Sequence, residues 1–232
     1  MANESVMIEA LAVVSDMPVA RVLEAGCGSQ LKLRLPFPHS LVGIDIDAEQ
    51  LAHNDRIDQK ICGDLQTFPL PISEFDLVTC IDVLEHLRYP EKAIENMRSS
   101  LKPGGYLMIA GPEPYSYKGF VAKYTPYSMR HFLFKLLTGR VAKETLYTHG
   151  NSKIFFPTHL KPVCSLSNLT AFCERSGMRV LFAKGYDAHS EGLRGVYRNL
   201  LTTISPLTRS VLRRTNGKIN LLHADYVALF QS

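Results

Sequence analysis

Gly26 and Gly28, in Glu24-Ala25-Gly26-Cys27-Gly28-Ser29, stand where a short apolar run over residues 21–24 ends abruptly. Ligands of open parallel sheets bind just beyond the carboxyl ends of the strands, and glycines there let a ligand approach the backbone. A phosphate cradle wants G-x-x-x-x-G-K-[ST], and a dinucleotide fold usually wants G-x-G-x-x-G. Neither is present, because position 31 is Leu and no lysine follows at the required spacing. Alone, the pair of glycines reads equally well as a tight turn. It is followed by Asp45, 19 residues after Gly26, in Gly43-Ile44-Asp45-Ile46 at the end of a second apolar run. A carboxylate there can accept both hydroxyl protons of a ribose diol. Gly63-Asp64-Leu65 closes a third run, and Phe75-Asp76-Leu77-Val78-Thr79-Cys80-Ile81-Asp82-Val83-Leu84-Glu85-His86 closes a fourth. The ordered series is far more specific than any member of it. Asp82, Glu85 and His86, at i, i+3 and i+4, can share a helix face and so could form a metal cluster or an acid/base pair. The preferred reading packs Val83 and Leu84 inward, lets Asp82 start a helix, and leaves Glu85 and His86 at a pocket fringe; no metal is expected. Cys27 reads as a packing residue rather than a nucleophile.

Those residues need a frame of strands to hold them. Residues 21–24, 41–44, 60–62, 75–80 and 106–110 are short apolar runs, and 75–80 is near-continuous, as expected where both faces of a sheet are covered. Helical spacing occurs over 4–15, 48–54 and 91–101, the last with Pro90 before it and Lys102-Pro103-Gly104-Gly105 after it. This alternation predicts βαβ units around a parallel sheet. It lapses over 112–163, with five prolines and a weak helical pattern near 128–137. It returns as a helix over 167–176, a Gly177 cap and a strand over 178–183. A basic helical stretch broken at Pro206 spans about 191–214, and 223–230 (HADYVALF) reads as a closing strand. The expectation is one α/β domain over 1–232, a doubly wound Rossmann-like sheet with an insertion after strand five.

The 232 residues, 46% apolar and 21% charged, exclude a disordered, collagen-like or coiled-coil chain. No apolar stretch approaches the 18 or so residues that a membrane span requires. Glu4 and Glu9 stand where a signal peptide would carry positive charge, so no targeting segment is expected. The five cysteines (Cys27, Cys62, Cys80, Cys164 and Cys173) form no C-x-x-C pair and read as free thiols of a cytoplasmic protein. Residues 1–111 carry 9 Lys and Arg against 16 Asp and Glu, a net −7, whereas 112–232 carry 17 against 6, a net +11. A basic second half suggests a partner with negative charge.

The segments E-A-G-C-G-S, G-I-D-I-D, G-D-L, F-D-L-V-T-C-I-D-V-L-E-H-L and L-K-P-G-G-Y-L resemble the consecutive motifs of class I S-adenosylmethionine-dependent methyltransferases. The likeness is to the small-molecule branch that includes the quinone-biosynthesis enzymes. It is strong over residues 20–111 and moderate over 159–186. It implies a seven-stranded sheet with the last strand antiparallel, which 223–230 would supply, and S-adenosyl-L-methionine as cofactor. Carried onto this chain, Gly26, Cys27 and Gly28 would pass under the methionine part of the cofactor, with Glu24 ordering its amino end through water. Asp45 would hold the ribose, Ile46 would lie against the adenine, and Asp64 with the Leu65 backbone would face the adenine edge. Ile81 would line the pocket near the sulfonium. His159 falls close to where related enzymes often place a histidine facing the acceptor, which makes it a candidate base; His149 is the second. The family commonly has a third glycine and a full helix after the first strand. Here residues 29–40 are SQLKLRLPFPHS, so that helix must be short or absent.

Three functions from different classes fit these observations. The first is an enzyme that moves a methyl group from S-adenosylmethionine to an O, N or C nucleophile of a small molecule. The second is a cofactor-binding module with a regulatory or assembly role. The third, a nucleic-acid methyltransferase suggested by the basic second half, lacks the N-P-P-Y type of signature after the fourth strand, so no nucleic-acid partner is expected. Segment 115–161 holds ten of the chain's 21 aromatics and eight basic residues against one acid, Glu144. It is expected to act as a lid over an aromatic, lipid-like or anionic acceptor, with Lys118, Lys123, Arg130 and Lys135 meeting an anionic group or a membrane surface.

Overall fold

The structure, a computed structural model, describes residues 2–14, 20–116, 148–149, 152–153, 159–186 and 225–232, with the single positions 210, 214 and 223. Its centre is a seven-stranded sheet. The strands are β1 (Ala20–Ala25), β2 (His39–Asp45), β3 (Gln59–Cys62), β4 (Phe75–Ile81) and β5 (Leu101–Pro112), then β8 (Arg179–Tyr186) and β9 (Asp225–Gln231). A separate two-residue ladder joins β6 (Thr148–His149) to β7 (Ser152–Lys153). The order across the sheet is β3-β2-β1-β4-β5-β9-β8. β1 through β5 pair in parallel, while β9 runs antiparallel to both β5 and β8. The expected α/β sheet with an antiparallel last strand is the observed one.

Alternate side chains of the central strands feed two cores, as the period of two requires. Leu23, Val78, Leu107 and Phe230 face α3 (Pro90–Ser100) and α4 (Leu166–Arg175), where Ile94, Met97, Leu169 and Cys173 are buried. Val22, Leu77, Met108 and Leu229 face the opposite way, against Met7, Ala10 and Leu11 of α1 (Ala2–Leu11). The expected helix over 4–15 is α1 followed by a 3-10 turn, Ala12–Val14.

Between β1 and β2 there is no helix at all. Residues 26–38 form an irregular connection, and Leu33 and Phe37 fill the core against β1 and β2 where a helix would have packed. Pro36 and Pro38 forbid helical continuation here. By contrast α2 (Ala48–Ala52) is capped at its start, since the Asp47 carboxylate accepts from the Glu49 and Gln50 N–H groups at 3.0 and 3.1 Å.

Two local expectations are corrected. Lys102-Pro103-Gly104-Gly105 does end α3, but the strand has already begun at Leu101, which pairs with Phe75 before the register shifts to Leu77↔Tyr106. The K-P-G-G segment bulges out of β5, with Gly104 at φ +77°. Nor does Asp82 start a helix. It sits at φ +52° and donates its N–H to the Ala110 carbonyl, and only a 3-10 turn, Leu84–His86, follows. No helix among the described residues is long and apolar enough to cross a membrane.

Candidate functional site

The carboxyl ends of β1, β2, β3 and β4 open onto one cavity of about 530 Å³, within the size range of small-molecule sites. Its floor is the Gly26–Gly28 turn. Gly26 and Gly28 have φ of +70° and +51°, the left-handed region that glycine enters without strain. The turn's three N–H groups are all engaged: those of Gly26 and Cys27 donate to the Ile44 carbonyl at 2.8 and 3.2 Å, and that of Gly28 to Asp45 Oδ2 at 2.7 Å. Asn54, buried at the end of the α2 segment, donates its amide to the Cys27 and Gly28 carbonyls at 3.3 and 3.1 Å. The tip of β2 thus clamps the tip of β1.

Seven of the nine residues expected to meet the cofactor line this cavity: Gly26, Cys27, Gly28, Asp45, Ile46, Asp64 and Leu65. Asp45 also accepts the Asp47 N–H on Oδ1 at 2.9 Å. With one N–H on each oxygen, its carboxylate still has lone pairs for a diol. Ile46 presents an apolar side chain that is 60% exposed, a platform for a flat ring. Asp64 accepts the Gln66 backbone N–H at 2.9 Å, which fixes its orientation at the β3 end. Glu24 and Ile81 lie beneath the cavity rather than on its wall. Lys32, which does line the cavity, ties the two together: its N–H donates to Glu24 Oε1 at 3.2 Å and its ammonium to the Ile81 carbonyl at 2.5 Å.

Burial dominates the electrostatics of the floor. Desolvation pushes the Glu24 carboxyl up to about 7, opposed by the Lys32 N–H and the Lys32 charge. The Cys27 thiol is pushed up to about 12 by burial, with the Asp45 and Glu24 charges adding to it, so it is no thiolate nucleophile at neutral pH. All five cysteines are free, and Cys62 alone is exposed.

Asp82, Glu85 and His86 part company in the structure. Asp82 and His86 line the cavity, whereas Glu85 is buried behind them, correcting its expected place at the fringe. Its Oε1 is 3.9 Å from His86 Nε2. Desolvation, then the neighbouring Asp82 charge, raises the Glu85 carboxyl to about 8. A β-carbon on Gly111 would meet Glu85 Oε2 at 3.6 Å and the buried Tyr226 hydroxyl at 3.9 Å, which places that carboxyl under the end of β5. Asp82 is itself exposed by area, yet surrounding protein raises its carboxyl, with Lys32 acting against the shift and Asp225 with it.

His159 is exposed and does not line the cavity; its N–H donates to the Glu85 carbonyl at 2.7 Å, joining 159–160 to the 3-10 turn. His149 closes β6, and its side chain lies outside the described residues. So do nine of the ten aromatics of the expected lid, all but Tyr115, together with Lys118, Lys123, Arg130 and Lys135. Just past the end of β5, Glu113 holds the chain by accepting the Leu166 N–H at 3.0 Å at the start of α4. Sequence reasoning missed Lys32, Asn54 and Gln50. None of them lies in a motif, and only the strand ends bring them to the turn.

Comparison with known proteins agrees with this geometry. Residues 23–109 match the model of the Methyltransferase domain family. The chain is 25% identical over 177 residues to a ubiquinone biosynthesis O-methyltransferase of Coxiella burnetii, covering 72% of this chain and 67% of that one. Among solved structures it is similar to a SAM-dependent methyltransferase from Archaeoglobus fulgidus, with a TM-score of 0.60 and 16% identity over 100% of this chain and 93% of that one. It is also similar to phosphoethanolamine N-methyltransferase 2 of Haemonchus contortus, solved in complex with S-adenosyl-L-methionine. There the TM-score is 0.56 and the identity 14%, over 97% of this chain and 52% of that one. On fold, motif order and matched domain together, this chain belongs to the class I S-adenosylmethionine-dependent methyltransferases and resembles the quinone-biosynthesis members among them.

Proposed function

We propose that this methyltransferase acts on a hydroxyl of a small, ring-bearing or anionic acceptor, in the manner of the O-methyltransferases it resembles. The likeness to the ubiquinone biosynthesis O-methyltransferase supports the hydroxyl, and the cavity, where a glycine turn, a ribose-type carboxylate and an apolar platform meet at adjacent strand ends, carries the cofactor reading. When bound, S-adenosylmethionine supplies an activated methyl on a sulfonium. The chain itself has only to hold the two reactants in line, exclude water and accept one proton. Asp45 orients the ribose, Ile46 and Leu65 flank the adenine, and Asp64 accepts from its edge. Gly26, Cys27 and Gly28 lie under the methionine end, and Glu24 and Ile81 close the floor beneath it. The aromatic and basic composition of 112–163 suits a cover over such an acceptor, and the basic second half suits an anionic molecule or an anionic membrane surface. The unpatterned cysteines support a cytoplasmic location. The test is a metabolite comparison by mass spectrometry between cells with and without the gene, seeking a pair 14 daltons apart. Release of S-adenosylhomocysteine only when an acceptor is supplied separates an enzyme from a binding module.

Asp45→Ala is expected to weaken S-adenosylhomocysteine binding by about 1.5–3 kcal/mol, the range for a hydrogen bond to a charged group. Calorimetry on the folded variant reads this directly, and an unchanged affinity removes Asp45 from the ribose. For the proton, the cavity favours His86, which lines it, over the sequence candidates His159 and His149. A positioned general base is worth about a hundredfold or more. His86→Ala should therefore lower turnover about a hundredfold while His159→Ala stays within about threefold. The reverse order returns the role to His159.

A further inference from the structure

Among the described residues, Lys32 is the one permanently charged cation lining the cavity, whose lining also includes Asp45, Asp64 and Asp82, and its charge acts on Asp82. It comes from the irregular 26–38 connection, and it is tied to two neighbouring strands at once. Its N–H donates to Glu24 Oε1 on β1, and its ammonium donates to the Ile81 carbonyl at the end of β4, at 3.2 and 2.5 Å. β1 and β4 pair at Ala25↔Cys80, so the ammonium lies over the same strand ends as the Gly26–Gly28 turn. An ammonium carries three N–H bonds. Ile81 takes one, and the described residues supply no hydrogen-bond partner for the other two.

Besides Lys32, the lining offers an anion only neutral donors such as Ser29, Gln30, Gln50 and Gln66, and the imidazole of His86. In many nucleotide folds the turn's own N–H groups and the following helix N-terminus do that work. Here the N–H groups of Gly26, Cys27 and Gly28 are all committed to Ile44 and Asp45, and no helix follows β1. Three aspartates suit the positive sulfonium and amino groups of the cofactor, but they repel its carboxylate.

We propose that Lys32 is the counter-charge for the carboxylate at the amino-acid end of the cofactor, and that it makes the site select ligands carrying that carboxylate. This rests on the methyltransferase reading above, which lays the amino-acid end over Gly26–Gly28. Lys32 remains on the Ile81 carbonyl and turns its two other N–H bonds to the carboxylate. The missing helix and the lysine are then one adaptation, with a side-chain cation standing in for backbone donors.

The test is calorimetric and needs no acceptor. Two probes are compared: S-adenosylhomocysteine, and its decarboxylated analogue 5′-deoxy-5′-(3-aminopropylthio)adenosine, which keeps the adenosine, the thioether and the amine. Lys32→Met is expected to weaken S-adenosylhomocysteine at least tenfold and to change the analogue by less than threefold. The unchanged analogue also certifies that the variant site is folded. Lys32→Arg should keep the preference of the parent protein. Equal losses on both probes would show that Lys32 only builds the wall and would overturn the proposal, as would no loss on either. Binding of neither probe by the parent protein overturns the cofactor reading itself, an outcome distinct from failure of the Lys32 assignment.

Discussion

Gly26→Val is expected to weaken S-adenosylhomocysteine binding by at least about 3 kcal/mol, more than a hundredfold, while Gly28→Ala costs only about 1 kcal/mol. The two glycines share a turn and both have positive φ, at +70° and +51°, so backbone strain alone does not separate them. Their neighbours do. A β-carbon on Gly26 would lie 2.3 Å from Val83 Cγ2 and 3.1 Å from Cγ1, well inside contact distance. Val83 packs against the core, so it can yield only by moving the chain on either side of it. On one side is Asp82, and on the other the turn that carries His86, so the displaced wall is cavity wall. A β-carbon on Gly28 meets only the Gln50 Oε1 at 3.3 Å, the end of a flexible side chain. A β-branched residue in the left-handed region adds its own penalty at position 26. Thermal unfolding and calorimetry on both variants separate lost stability from lost affinity. If the two substitutions cost the same small amount, the Val83 wall is soft and the turn does not shape the site.

Which parts of this arrangement could be read beforehand follows from how local their causes are. β4 was legible because burial on both faces forces an uninterrupted apolar run, and Asp45 because the strand it ends is equally apolar. The absent helix after β1 was legible from Pro36 and Pro38. What took its place was not. A lysine in a proline-broken loop has no period to betray it, and Lys32 reaches the site only because β1 and β4 are neighbours in space. The D-V-L-E-H segment misled for a related reason. Its i, i+3, i+4 spacing fits a helix, but the Asp82 N–H is taken by Ala110 on the adjacent strand, which turns the backbone left-handed and allows only a 3-10 turn. Long-range hydrogen bonds of this kind leave no mark in the spacing of side chains. Glu85 is buried by the same event, against Gly111 and Tyr226.

That burial has a measurable consequence in the protein without ligand. Stability should fall by about 4 kcal/mol as pH rises from 4.5 to 8, relative to a Glu24→Gln/Glu85→Gln variant in which the fall is absent. Below the ordinary carboxyl value of 4.5 both groups hold their protons folded and unfolded, and neither contributes a difference. Above it, the unfolded chain releases them while the folded chain does not, because burial holds Glu24 up to about 7 and Glu85 up to about 8. The folded state then binds more protons, and stability declines with pH until each folded value is passed. Beyond about 8 both states are ionised and the loss is constant. The full shifts correspond to about 3 kcal/mol for Glu24 and about 5 for Glu85. Local relaxation and water entry reduce such penalties, which brings the expected total to about half of their sum. Ionisable groups that do not interact with these two act on both proteins alike, so the comparison with the double variant isolates Glu24 and Glu85 together with the groups coupled to them, chiefly Asp82 and Cys27. Urea midpoints measured at pH 5 and pH 8.5 supply the reading. Lines that stay parallel across that interval would show that neither carboxyl keeps its proton in the fold. A cationic amino group settling beside Glu24 should favour its ionised form, so S-adenosylhomocysteine binding near pH 7 is expected to release protons. Calorimetry in buffers of different ionisation enthalpy registers that release, and Glu24→Gln should remove it while Glu85→Gln leaves it in place.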